Sequence, residues 1–231
     1  MLKDLEKRHR NEPCFILACG YSLKKLLPLE ELDPYVTIGV NRIVYSYHPT
    51  YWMFIDQPIV KEFGKQIDLR IIASEMIRWE HSKYNGEGRT FVKSNTRRPE
   101  DMHPDYKGLM FCNTTSFAAL HLAYIMGCNP IVFCGLDLCY LDGYCHFYDD
   151  KQEKLTKPSF RKKTQSRALV QKKYPDGRVI WTRNDFIRME RNIRRACKAL
   201  LDKGHTIYNV SQESMLEGVP KRPLNEILSE L

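Results

Sequence analysis

The chain is punctuated by short, uninterrupted apolar runs, each closed by glycine or a polar residue. Residues 14–18 (CFILA) end at Cys19-Gly20, 35–40 (YVTIGV) at Asn41, and 51–55 (YWMFI) at Asp56. Residues 131–135 (IVFCG) run into Leu136-Asp137. Residues 69–73 (LRIIA) and 89–93 (RTFVK) give further candidates, and 205–210 (HTIYNV) a last one. Runs of this kind, without polar alternation, predict strands buried on both faces, as in a parallel sheet.

Between these runs the period changes to that of helices. Ser22 can cap a short helix over 23–27, ahead of Pro28. Asn113, Thr114, Thr115 and Ser116 are four candidate caps for FAALHLAYIMG (117–127), and Gly127 is a natural stop. No Asp, Glu, Lys or Arg occurs from Gly108 to Leu136, a length that would permit a membrane span. The polar residues at 113–116, His121 and the Gly-Cys-Asn-Pro break at 127–130 instead divide it into a buried helix and a buried strand. No transmembrane segment is therefore read. Over 184–203, Phe186, Met189, Ile193, Ala196, Cys197, Leu200 and Leu201 share one helical face, with Gly204 as the stop. A short helix is expected over 223–230. Strands alternating with helices imply an α/β, Rossmann-like fold: a mostly parallel sheet with helices on both faces. One domain over 1–231 is expected, with a basic, lid-like loop at 150–183 that Pro158 and Pro175-Asp176-Gly177 interrupt.

Charge sharpens this picture once it is located. The chain has 36 Lys+Arg against 28 Asp+Glu, a net charge of +8. From Lys151 to Lys198 there are 16 basic and four acidic residues, so the rest is mildly acidic. Such a segment attracts an anionic group (a ligand's phosphates, a phospholipid surface or nucleic acid) or forms a solvated helix face. Of the eight cysteines several lie in apolar runs, where a free thiol acts as a small buried hydrophobe. The first ten residues hold no apolar signal-peptide core, so a reduced, cytoplasmic chain is expected. The order Cys134, Cys139, Cys145-His146 lacks the paired spacing of structural zinc sites, and no metal ligand set is assigned.

In open parallel sheets ligands bind beyond the carboxyl ends of the strands. That rule selects Gly20 and Ser22, Asn41, Asp56 and Asp137, together with the Asn113, Thr114, Thr115, Ser116 cap, whose N–H groups and dipole suit a phosphate. The plainer reading makes Gly20 a turn, Ser22 and Asp137 caps, and Asn41 and Asp56 loop residues. Neither a GxGxxG fingerprint nor a GxxxxGK[ST] loop occurs, so the usual NAD and P-loop ATP sites are unsupported. The loop after Asp137 carries His146, a residue suited to general-base work near neutral pH, and several tyrosines able to stack on a base or bond a phosphate.

Five segments together resemble a family: LACGYSL (17–23), GVNR (39–42), FID (54–56), the block at 113–148 and YNVSQESMLEGV (208–219). They are similar to MptE-like and motility-associated-factor glycosyltransferases, related to bacterial (Campylobacter-type) sialyltransferases. The resemblance covers most of the chain except about 60–108 and 150–180. It implies a nucleotide-sugar donor, CMP-linked by preference, held by Gly20, Ser22, Asn41, Asp56 and Asn113 to Ser116. It gives Tyr140 and Tyr144 to the donor phosphate. The sialyltransferases carry a catalytic His before the late helix; here 178–186 reads RVIWTRNDF, so His146 is the substitute, with Asp137 as the other candidate base. Arg178 and Arg183 of the basic segment would close over the phosphate, and no cofactor is then required. The acceptor is an unidentified hydroxyl compound. Nothing in the sequence sets the oligomeric state, and a homo-oligomer is compatible with it. The MptE-like likeness also admits an ATP-dependent 6-hydroxymethylpterin-type diphosphokinase, with Mg²⁺ on Asp56 and Asp137. A non-catalytic nucleic-acid binder is the third reading, though few aromatic residues (Phe160, Tyr174, Trp181, Phe186) interleave with the bases.

Overall fold

The computed structural model describes residues 2–55, 59, 62–63, 75–79, 89–91, 98–102, 108–148 and 168–231, the side chains of 75–79 and 89–91 excepted. Its strands are β1 (Cys14–Leu17), β2 (Val36–Val40), β3 (Tyr51–Phe54), β4 (Glu75–Trp79), β5 (Arg89–Phe91), β6 (Ile131–Cys134), β7 (Leu169–Lys173), β8 (Val179–Arg183) and β9 (Ile207–Asn209). The α-helices are α1 (Thr115–Ile125), α2 (Asn184–Leu201) and α3 (Leu224–Leu228). Seven strands form one sheet in the order β5-β4-β3-β2-β1-β6-β9. Every pairing in that sheet is parallel, with Cys14 beside both Val36 and Ile131. The strand expected at 69–73 lies outside the described residues, and β4 is the strand that pairs with β3.

Strand residues alternate between two apolar layers. Ile16, Ile38, Val40, Met53, Ile131 and Phe133 face α1 and α2. Phe15, Leu17, Trp52, Phe54, Val132 and Cys134 face the other way. The second layer is covered largely by short 3₁₀ turns, through Leu23, Leu32 and Ile43, and by Leu224 and Ile227 of α3. Both layers are close-packed, so truncating Trp52 or Phe133, each without exposed surface, would cost about 3–5 kcal/mol.

The charge-free stretch divides as its pattern predicts. All residues of α1 except Tyr124 are buried, so it runs under the sheet as a core helix. His121, fully buried on it, accepts the Met110 N–H at 3.0 Å and is thereby satisfied. Among the described residues no helix is long and apolar enough to cross a membrane.

Two expectations are corrected. The segment after Ser22 is a 3₁₀ turn, Tyr21–Lys25, in which Ser22 is not the cap. The described part of the presumed lid loop is an antiparallel hairpin, with Gln171 opposite Trp181 and Lys173 opposite Val179. Pro175-Asp176-Gly177 closes its turn: Gly177, in the left-handed region at φ 86, donates to the Tyr174 carbonyl at 3.0 Å. Lys172 and Arg178 lie over the ring of Tyr174, just after β7, at 4.4 and 4.8 Å from its centre.

Candidate functional site

Strands β1 to β5 succeed one another outward on one side of the sheet, and β6 and β9 lie on the other. The order therefore reverses between β1 and β6, and a crevice opens there at the carboxyl ends. A cavity of about 200 Å³ occupies this position. Its walls are the turn after β1 (Ala18, Cys19, Gly20), the end of β2 (Val40, Asn41), the start of α1 (Asn113 to Ser116) and the segment after β6 (Gly135 to Cys139). Cys145 and His146 close it from the following loop, and Phe111, Phe186 and Met189 supply apolar wall. The strand-end rule thus brings Gly20, Asn41, Asn113, Thr114, Thr115, Ser116, Asp137 and His146 to one place. Asp56 lies outside the described residues.

Asp137 organises the floor. Its side chain is buried, with the residue 2% exposed. The Ser22 hydroxyl donates to Oδ1 at 2.5 Å and the Ser22 N–H to Oδ2 at 2.8 Å. Burial pushes the Asp137 carboxyl above its ordinary range, while the two Ser22 hydrogen bonds pull it back in part. Gly20 is required by the same close approach. A Cβ there would stand 2.4 Å from the Gly135 carbonyl oxygen and 2.6 Å from Asp137 Oδ2. The Gly20 N–H donates to that Gly135 carbonyl at 2.8 Å, tying the β1 turn to the end of β6.

The opposite wall is the amino end of α1. Thr114, one of the four expected caps, is the cap: its side chain accepts from the Ser116 N–H at 3.3 Å. Thr115 Oγ1 donates to Asn41 Oδ1 at 3.5 Å, joining the end of β2 to the first helical turn. Asn41 and Asn113 both adopt left-handed backbone, at φ 51 and 67, a conformation asparagine tolerates best among residues with a side chain. Their bends turn the chain back along the cavity rim. Among the described lining residues there is no Lys or Arg. An anion in the cavity would meet the amino end of α1, where the Ser116 and Phe117 N–H groups already donate to Thr114, and would share the space with the Asp137 carboxyl group.

His146 sits against the β1 turn, bridged in antiparallel fashion to Gly20, and the next residue's N–H donates to the Cys19 carbonyl at 3.1 Å. Its ring stacks on Tyr148, 5.0 Å between centres, and Cys145 Sγ lies 3.9 Å from Nε2. The imidazole is thus anchored on one side while the residue borders the cavity.

The expected tyrosines and arginines are elsewhere. Tyr140 does not line this cavity; its N–H donates to the Trp181 carbonyl at 2.8 Å and it faces the β7–β8 hairpin. Tyr144 stacks on Tyr21 at 4.8 Å. Arg178 pairs with Asp176 at 2.6 Å beside the hairpin turn, and Arg183 forks onto Asp185 with both contacts at 3.0 Å. The physical reason is the backbone after Asp137. Leu138 at φ 56 bends the chain ahead of Tyr140, and Asp142 at φ 52 bends it again ahead of Tyr144.

Sequence reasoning passed over two kinds of lining residue. Phe186 and Met189, expected as helix core, line the cavity, as do the thiols Cys139 and Cys145. Burial pushes the Cys139 thiol up to about 12. The segment after β9 also supports the site from behind. Ser214 Oγ donates to the Leu136 carbonyl at 2.6 Å, and the Met215 N–H to the Asp137 carbonyl at 2.8 Å. The polar Ser-Gln-Glu-Ser run at 211–214, shortly after β9, was the available signal.

No protein-family model matches the chain. No curated protein matches it either. Solved structures do. Against the MAf glycosyltransferase from Magnetospirillum magneticum AMB-1 the TM-score is 0.63 at 12% identity, over 96% of this chain and 37% of that one. This chain thus spans well under half the length of that structure. The sialyltransferase CstII from Campylobacter jejuni, solved in complex with cytidine-5'-monophosphate, aligns over 93% of this chain and 86% of its own, with a TM-score of 0.49 and 14% identity. At 12% identity, the Magnetospirillum likeness is one of fold: the chain has a Rossmann-like α/β fold of the kind found in that glycosyltransferase.

Proposed function

We propose that the chain is a glycosyltransferase that moves a sugar from a CMP-linked donor to a hydroxyl acceptor. The observation that carries this reading is the cavity at the β1/β6 reversal, bordered by the amino end of α1 on one wall and His146 on another. The donor phosphate lies at the first turn of α1, where the dipole and the Thr114, Thr115 and Ser116 groups favour negative charge. Asn41 fixes the ribose or sugar beside it. The acceptor oxygen bonds to the anomeric carbon, the anomeric carbon–phosphate oxygen bond breaks, and CMP leaves with that electron pair. His146 takes the acceptor proton. The α1 donors stabilise the charge that grows on the leaving phosphate. Asp137, engaged by Ser22, holds the β1 turn in register rather than moving a proton.

The class of reaction is supported by the Magnetospirillum glycosyltransferase, which shares the fold. The CMP preference is supported by the likeness of 17–23, 39–42 and 113–148 to bacterial sialyltransferases. On this reading transfer proceeds without a cofactor and in the cytoplasm. A thermal-shift panel of CMP, UDP, GDP and ATP, each in EDTA and in Mg²⁺, tests it, because a ligand that binds only the folded chain raises its midpoint. Stabilisation by CMP in EDTA is expected. Stabilisation by ATP with Mg²⁺ alone would overturn it in favour of diphosphate transfer.

A further inference from the structure

We propose that a second cavity, between the β7–β8 hairpin and the 140–143 loop, is a saccharide site that holds the acceptor glycan. The acceptor role rests on the glycosyl-transfer reading above; the sugar site itself does not. The cavity has a volume of about 410 Å³, inside the range of about 300–1,000 Å³ typical of small-molecule sites. Trp181 and Tyr140 line it with aromatic surface, Asp142, Gln212 and Glu213 with planar acceptors, and Arg178 with a planar donor.

Three features select a sugar. Trp181 is 41% exposed on β8 although folding favours burying an indole, so a large apolar face stays available to a ligand. A pyranose ring offers such a face in its C–H bonds, and its vicinal hydroxyls match planar carboxylate, amide and guanidinium groups. The charge balance disfavours a phosphate: Glu213 is held by Lys25 at 2.7 Å and Arg178 by Asp176 at 2.6 Å, and Asp142 adds another negative group. The position also fits an acceptor. Cys139 borders the donor cavity and Tyr140, the next residue, borders this one.

Saturation-transfer NMR on the full chain tests this, using the methyl glycosides of glucose, galactose, N-acetylglucosamine and N-acetylgalactosamine together with lactose and chitobiose. At least one sugar is expected to bind. Its affinity should fall at least about fivefold in Trp181→Ala and recover in Trp181→Phe. Asp142→Asn, a change on an exposed side chain, should weaken the same sugar. Tyr45→Ala, at an exposed aromatic residue far from this cavity in sequence and absent from its lining, should leave it unchanged. The proposal is overturned if no sugar binds the wild type, or if Trp181→Ala and Asp142→Asn both bind as the wild type does. A CMP thermal shift on the same samples separates the two readings: sugar binding without CMP binding sinks the donor assignment and keeps this site.

Discussion

The two cavities flank one loop and differ in kind. The strand-edge cavity is walled by a helix start, small residues and His146, with no Lys or Arg among its described lining residues. The hairpin cavity is walled by aromatic and charged side chains, and it belongs in part to the segment where the sequence concentrates positive charge. Much of that excess in the described hairpin and α2 is paired, although Lys173, Arg188 and Arg191 stand exposed. Arg178 pairs with Asp176, Arg183 with Asp185, Arg194 with Glu190, Arg195 with Glu100 and Lys198 with Asp202. A count along the sequence adds residues, whereas a ligand responds to the field left after neighbours have paired. On the proposed reading it is backbone dipoles, invisible to such a count, that draw the phosphate to the strand edge.

The contrast can be broken in several ways, the strongest first. His146→Ala is expected to lower turnover by about 10²–10⁴-fold, the range of a lost general base, while the CMP thermal shift persists. Turnover within about twofold of wild type would place the base elsewhere. Gly20→Ala comes next. Its methyl group would press on the Gly135 carbonyl and the Asp137 carboxylate, neither of which is a flexible side-chain end. A loss of about 3 kcal/mol in urea unfolding is expected, and unchanged stability would mean the strand edge is looser than described.

Asp137→Asn probes the floor through pH. Burial raises the folded carboxyl above its unfolded value, so the folded state binds the extra proton. That contribution to stability is full below the unfolded value, about 3.9, and is lost as pH rises through the folded one. The stability gap between wild type and Asp137→Asn should therefore shrink from acid towards neutral pH in urea titrations. A gap that widens would reverse the sign. The smallest effect belongs to Arg178→Ala, which should leave the CMP shift intact because Arg178 lines the hairpin cavity alone. Loss of CMP binding in that variant would restore the arginine lid.

How far the sequence reaches follows from the same contrast. β1, β2, β3 and β6 were legible because each is buried on both faces and reads as an unbroken apolar run, and the strand-end rule then led to Gly20, Asn41, Asp137 and the α1 cap. The hairpin was not. Lys172 and Lys173 interrupt β7, and Val179 and Trp181 are 49% and 41% exposed, so no burial pattern marks the strands. Cross-strand pairing sustains them, and Pro175-Asp176-Gly177 signalled the reversal rather than the end of order. The tyrosines were misplaced for a different reason. The family resemblance put Tyr140 and Tyr144 at the phosphate, but Leu138 takes a left-handed bend that leucine does not advertise. Asp137 itself was found by position while its partner, the Ser22 hydroxyl, lies 115 residues away and was read as a cap.

Hydrogen exchange with and without CMP, in EDTA, tests the central assignment most directly, since it reports which backbone amides a ligand shields. Slower exchange is expected at the Gly20–Ser22 turn and at the first turn of α1, with the hairpin amides at 178–181 and the loop at 140–143 unaffected. Protection confined to the hairpin and that loop would contradict the account.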